Sequence, residues 1–326
     1  MTRKRLPVLT ALLMLGAATT VAQAQSADNW PNRPIKFVVG FGPGGGTDII
    51  ARMFAQPLAQ ALGQPIVIEN KPGAGGTVAA GQVARAAPDG YTAFIMNNGH
   101  AVSSIMYRSL PFHAVRDFAP VSMLCEQPLV VVAGRNNAPR HLDGLITRAR
   151  AQPGVLNFAS VGVGSTQHFA AELFKQQAGI NMVHVPYKGT PQAVAATMGG
   201  EVDMLVEVAS PILGQIRSGD LTPLAVTSPT RFAGLPDVPT AQEAGLANYN
   251  VTTWYGVAFP AKTPKAIVDR MNAAIQKISQ DPNLINQAMN AACQTRATSP
   301  AEFERHLNSE ISRWEAVRKT ANIEQQ

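Results

Sequence analysis

The chain has 326 residues, 46% of them apolar and 15% charged. That is a globular composition, long enough for two ordinary domains, and it excludes a disordered chain. The formal net charge of +6 is spread without a dense basic run, which excludes nucleic acid as a partner and leaves a mild bias toward small anionic solutes.

Residues 1–24 form a separate object. MTRKR supplies positive charge, LPVLTALLMLGAATTV is apolar, and Ala22-Gln23-Ala24 is a small-residue cleavage site. The pattern predicts a secretory signal peptide cut after Ala24, and so a periplasmic mature chain. Removing it takes away Arg3, Lys4 and Arg5 and no acid. No later apolar run approaches the ~20 residues of a spanning helix.

Residues 35–41 (IKFVVGF) read as a buried strand, followed by the glycine loop GPGGG. Thr47-Asp48 then opens a helix with Ile50, Met53, Phe54, Leu58 and Leu62 on one face, Gly63 at its end, and Pro57 expected to kink it. The unit repeats: strand 65–69, loop NKPGAGG, helix 77–87, then strand 91–96 running into the loop Asn97-Asn98-Gly99-His100. Residues 118–133 are too long for one ordinary strand and read as a crossover between two bodies. A second series follows, with helix 142–151, strand 156–160, loop 161–164, helix 165–179, strand 182–186, loop 187–190, helix 191–198, strand 202–208, helix 211–217 and strand 224–227. Residues 249–259 read as a return crossover, and helices follow at 264–279 and 302–318, the last with Phe303, Leu307, Ile311 and Trp314 at helical spacing. Alternating strands and helices predict parallel sheets covered on both faces, here in two lobes with a cleft between them. Ligands bind beyond the carboxyl ends of such strands, where every glycine loop lies.

Three chemistries compete for those loops. Gly40, Gly42 and Gly45 fit a dinucleotide fingerprint, with Glu69 near the expected acidic position, but Pro43 stiffens the turn and removes a donor. A P-loop fails because Gly46 stands where the lysine belongs. The third needs only backbone: the loops before Thr47, Thr77 and Ser165–Thr166 place N–H groups at helix starts, which favour anions, and glycine admits close approach. Together they make a clamp for a carboxylate.

Side chains at the strand ends have alternative uses. Asp48 caps its helix or holds water in the pocket. Asn97 and Asn98 contact a ligand or make a turn, and His168 reaches a ligand or bonds its own loop. Tyr187 can stack on a ligand, while Lys188 reads as solvated. Glu207 meets a ligand amine, rejects a second anion, or sits on the surface. The candidate ligand-binding set is Phe41, Gly46, Thr47, Asp48, Ala74, Gly75, Gly76, Thr77, Asn97, Ser160, Gly164, Ser165, Thr166, His168, Tyr187 and Glu207. No catalytic residue, cofactor or metal site is assigned. Gly162-x-Gly164-Ser165 is not a nucleophile elbow, though a hydrolase using Ser165 and His168 is the enzymatic alternative. Cys125 and Cys293 are the two cysteines; in an oxidising compartment they can pair, and two buried free thiols are equally open.

Taken together, WPNRPIKFVVGFGPGGGTDIIAR, ENKPGAGGTVAA, PDGYT, LNFASVGVGSTQHFAAELF, HVPYKGTPQA, GEVDML, LPDVPTAQEAG and GVAFPAKTP resemble the Bug family, periplasmic solute receptors similar to those of tripartite tricarboxylate transporters. The match runs from about Trp30 to Trp314. It implies an α/β, type II-like periplasmic-binding-protein fold of two lobes joined by two crossover strands. Lobe 1 would be 30–127 with 252–326, and lobe 2 128–251. It also implies a monomeric, non-enzymatic receptor whose ligand is a dicarboxylate, an aromatic carboxylate or an acidic amino acid, with transporter permease subunits as membrane partners; a sensor feeding a signalling partner is the other non-enzymatic reading. His113 stands where the family usually has Asp, GDLTPLAVT lacks a common Arg, and Gly42 replaces a frequent Pro, which puts ligand size in question.

Overall fold

The computed structural model describes residues 29–134, 139–320 and 323–326; the leader expected over residues 1–24 lies outside them. In chain order the elements are β1 (Ile35–Val39), α1 (Gly46–Leu62), β2 (Ile66–Asn70), α2 (Thr77–Ala84), β3 (Thr92–Asn97), α3 (Asn98–Met106), β4 (Phe118–Gly134), α4 (Leu142–Ala151), β5 (Asn157–Ser160) and α5 (Thr166–Ala178). They continue with β6 (Val183–Pro186), α6 (Thr190–Gly199), β7 (Met204–Val208), α7 (Leu213–Arg217), β8 (Leu221–Val226), β9 (Thr252–Pro260), α8 (Lys265–Ile278), α9 (Pro282–Asn290), β10 (Gln294–Thr295) and α10 (Pro300–Thr320).

The strands lie in the order β2-β1-β3-β9-β4-β7-β5-β6. β1 pairs parallel with β2 and β3, and β5 pairs parallel with β6 and β7. The long β4 joins the two sets. Its first part, from Phe118 to Pro128, runs antiparallel to β9, and from Leu129 onward it runs antiparallel to β7 and β8. The molecule is therefore a two-lobed α/β protein whose lobes are connected through β4 and β9. Helices cover the sheets, as parallel strands require.

Local chemistry sets the element ends. α1 stops at Gly63 because that residue adopts φ 73° and its N–H closes on the Ala59 carbonyl. The expected inward face is buried at Ile50, Phe54, Leu58 and Leu62, and α1 continues as one helix through Pro57. Residues 97–100, read as a loop, instead pass directly from β3 into α3, with Asn97 extended as the capping residue. α9 and β10 fall in a stretch left without elements by the sequence pattern. The cysteines are joined: Cys125 and Cys293 form a disulfide with Cα atoms 5.7 Å apart, fastening β10 beside its partner β4. α10 ties the lobes together. Its Trp314 indole donates to Asn98 Oδ1 at 2.8 Å and meets Phe169 of α5 edge-on at 6.1 Å.

Candidate functional site

Two helices of the first lobe open onto the cleft with no side chain on their first amides. α1 starts behind Gly45, which is extended and offers no side-chain hydrogen bond. The β2–α2 turn passes through φ 146° at Gly73, 46° at Ala74, 64° at Gly75 and 95° at Gly76, and Gly76 likewise gives α2 no side-chain cap. The Gly46 and Thr47 N–H groups at the start of α1 therefore keep their hydrogen-bonding capacity and the positive end of the helix dipole, whereas in the β2–α2 turn the Gly76 N–H donates to the Gly73 carbonyl at 2.9 Å and the Thr77 N–H to the Ala74 carbonyl. Asp48 does not compete for them. Its carboxylate accepts from Gly44 N–H at 3.0 Å, from Arg52 and from Asn70 Nδ2 at 2.9 Å. Burial pushes its pKa up, but those hydrogen bonds outweigh burial and hold it below the ordinary value. Thr47 Oγ1 accepts from Asn97 Nδ2 at 2.8 Å.

The second lobe supplies the opposite wall. Gly162 and Gly164 turn the β5–α5 loop with φ 126° and 79°. Ser165 caps α5: its hydroxyl accepts from His168 N–H at 3.2 Å and donates to the Gly162 carbonyl at 2.7 Å. The His168 ring stacks on His184 at 4.1 Å, and its Nδ1 accepts from Gly164 N–H at 3.4 Å. Burial pushes His168 down to about 3 and His184 down to about 4, so both imidazoles are neutral. Ser160 is taken up by His184 Nε2 at 2.6 Å. The walls are close: a Cβ added to Gly75 would sit 2.9 Å from Ser103 Oγ and 3.5 Å from the Gly164 carbonyl across the cleft.

The floor is polar. Glu207 of β7 is fully buried, accepting from Gln167 Nε2 at 2.5 Å and from Val208 N–H at 2.8 Å through the same oxygen, Oε1. Its second oxygen, Oε2, is buried without a partner. Burial pushes this carboxyl up to about 7. Beside it Gln127 of β4 donates to the Tyr255 hydroxyl of β9, and burial drives the Tyr255 pKa up.

These elements enclose a cavity of about 540 Å³. From the predicted set, Phe41, Gly46, Thr47, Ala74, Gly75, Gly76, Asn97, Thr166 and Tyr187 line it. Asp48, Thr77, Ser160, Gly164, Ser165, His168 and Glu207 stand behind that lining and hold it in place through the bonds just described or, for Thr77, as a buried residue in the first turn of α2. Ser165 and His168 do not form a nucleophile–base pair: the hydroxyl donates to a carbonyl and the ring faces an amide. Gln167, Thr190, Val208, Thr253, Tyr255, Tyr107 and Gln326 also line the cavity and were not anticipated. Among the described lining residues, Lys188 is the single charged side chain. The cavity is thus a donor-rich enclosure with one cationic side chain and no acidic one among its described lining residues, suited to an anion met by main-chain amides.

Comparison with known proteins agrees with that chemistry. The model of the family described as "Tripartite tricarboxylate transporter family receptor" matches residues 50–323. Protein BugT of Bordetella pertussis is 35% identical over 303 residues, covering 92% of this chain and 93% of its own. Among solved structures, Rpa4515 of R. palustris with adipate is similar at a TM-score of 0.88 and 33% identity, covering 91% of this chain and 100% of that one. MatC of Rhodopseudomonas palustris with bound malate is similar at a TM-score of 0.83 and 33% identity, covering 88% and 99%.

Proposed function

The chain belongs to the tripartite tricarboxylate transporter receptor family, whose members are periplasmic solute-binding receptors and not enzymes, and from that premise we propose that it captures a small carboxylate in the interlobe cavity and hands it to the permease subunits of such a transporter. In this reading the chain is exported behind residues 1–24. Residues 30–127 with 252–326 form one lobe and 128–251 the other, and β4 and β9 act as the hinge. The observation that carries the reading is the pair of helix N-termini without a side-chain cap, α1 and α2, facing one cavity whose described lining side chains include one cation and no acid.

The grip follows from electrostatics. A carboxylate leaving water loses strong hydration, and aligned amide donors at a helix start replace it without side-chain rearrangement. The amides of Gly46, Thr47 and Gly75 would take one carboxylate. Thr166 and the Tyr187–Thr190 loop would close from the other lobe. Adipate in Rpa4515 and malate in MatC make dicarboxylates the leading class, with aromatic carboxylates and acidic amino acids next.

Thermal unfolding with mono-, di- and tricarboxylates, aromatic acids and amino acids tests this. The cognate acid should stabilise the fold by about 2.7 kcal/mol at a hundredfold excess over its dissociation constant. A panel in which no carboxylate raises the melting temperature would contradict the proposal. Co-purification with the permease subunits tests the transport partner.

A further inference from the structure

We propose that Gln167 and Tyr255 form a donor–acceptor pair on the cavity floor that reads a hydroxyl on the ligand, so that the receptor prefers a hydroxyl-bearing carboxylate over the same acid without it; this rests on the carboxylate-receptor reading above. Glu207 Oε1 accepts two hydrogen bonds, from Gln167 Nε2 at 2.5 Å and from the Val208 N–H at 2.8 Å. An oxygen receiving two N–H groups is an acceptor whether or not the other oxygen carries a proton. The Gln167 amide is therefore fixed with its NH2 on Glu207, which leaves its carbonyl oxygen as the end that can meet a ligand, and Gln167 lines the cavity.

Tyr255 is set in the opposite sense. Its hydroxyl accepts from Gln127 Nε2, so its own proton remains to donate, and Tyr255 also lines the cavity. The two residues are linked through Val208: its N–H shares Glu207 Oε1 with Gln167 Nε2, and its Cγ2 and the Tyr255 hydroxyl would lie 2.6 and 2.8 Å from a Cβ added to Gly46. Gln127 and Glu207 are both almost wholly buried, and each keeps one oxygen, Gln127 Oε1 and Glu207 Oε2, without a partner. A packed floor that needed only shape would carry apolar residues here, because unpartnered buried polar atoms are costly. A ligand hydroxyl would accept from Tyr255 and donate to the Gln167 carbonyl, in front of the Gln127 and Glu207 side chains that hold the two in place. The same acid lacking it leaves both groups unmet.

Titration calorimetry with matched acids reads this directly: 2-hydroxysuccinate against succinate, 3-hydroxyadipate against adipate, and 3-hydroxybenzoate against benzoate. The wild type should bind the hydroxylated member of its preferred pair about tenfold or more tightly, a difference of roughly 1.4 kcal/mol. Gln167→Met and Tyr255→Phe should each bring that ratio to within about threefold. Glu207→Met should lower it too, while Glu207→Gln, which retains a carbonyl acceptor for Gln167, should preserve it; a merely structural role for Glu207 would not alter a ratio within one pair. Binding with a wild-type ratio near one, or a ratio unchanged in both Gln167→Met and Tyr255→Phe, overturns the proposal and leaves the receptor reading intact. Binding of no acid in any pair overturns both.

Discussion

Glu207 holds its proton in the folded chain up to about pH 7, whereas the ordinary value is 4.5. The stability from this group is full below 4.5 and is lost as pH rises to about 7. Four histidines act in the opposite sense, His306 among them, lowered chiefly by burial. Burial depresses His100 to about 4, His168 to about 3 and His184 to about 4 from an ordinary 6.5. Their contribution is full above 6.5 and is lost as pH falls toward those values. The wild-type melting temperature should therefore fall on acidification below pH 6.5. Glu207→Gln lacks the opposing proton uptake, so its melting temperature should fall more steeply; parallel curves from pH 4.5 to 8 would contradict the assignment. The glycines separate by surroundings. Gly46→Ala would force a Cβ to 2.6 Å from Val208 Cγ2, an overpacking cost of about 1–3 kcal/mol in urea unfolding. Gly42→Ala meets nothing within 4 Å and should unfold like the wild type. The sequence made the glycines readable because glycine at a strand end has few uses. It hid Gln167 and Tyr255, because their partners lie 40 and 128 residues away along the chain and no spacing rule connects them. It also hid the burial of His168 and Glu207, which depends on what packs against them.

The strand–loop–helix units were legible from alternation and from glycine punctuation, and so was the β4 crossover, since 17 residues exceed an ordinary strand; the return crossover read over 249–259 is the 9-residue β9. α3 was obscured by Asn98-Gly99, which reads as a turn until β3 delivers the chain straight into a helix. α9 carried a signal that was available: Asp281 caps it and Pro282 occupies its first position. β10 has two residues and no pattern to find. The disulfide depended on distance, which composition cannot supply. It bridges a sequence separation of 168 and pins β10 to β4 beside the crossover. Replacing both cysteines by alanine should cost about 2–5 kcal/mol in denaturant unfolding under oxidising conditions. A loss below about 0.5 kcal/mol would show that the denatured chain is already constrained there.

At the scale of the molecule, β4 pairs with β9 along its first part and with β7 and β8 along its second, beside one cavity, and both sets of strands bring helix starts to it. One cation among the described lining residues fits the proposed reading, in which backbone amides would fix the carboxylate and the floor and rim would choose the remainder; similar proteins have been solved with adipate and with malate. The measurement that tests this most directly is a crystal structure with the acid that raises the melting temperature furthest. The account predicts carboxylate oxygens about 3 Å from the main-chain N–H groups at the starts of α1 and α2. An acid seated outside the cavity, or held chiefly by the Lys188 ammonium, would contradict it.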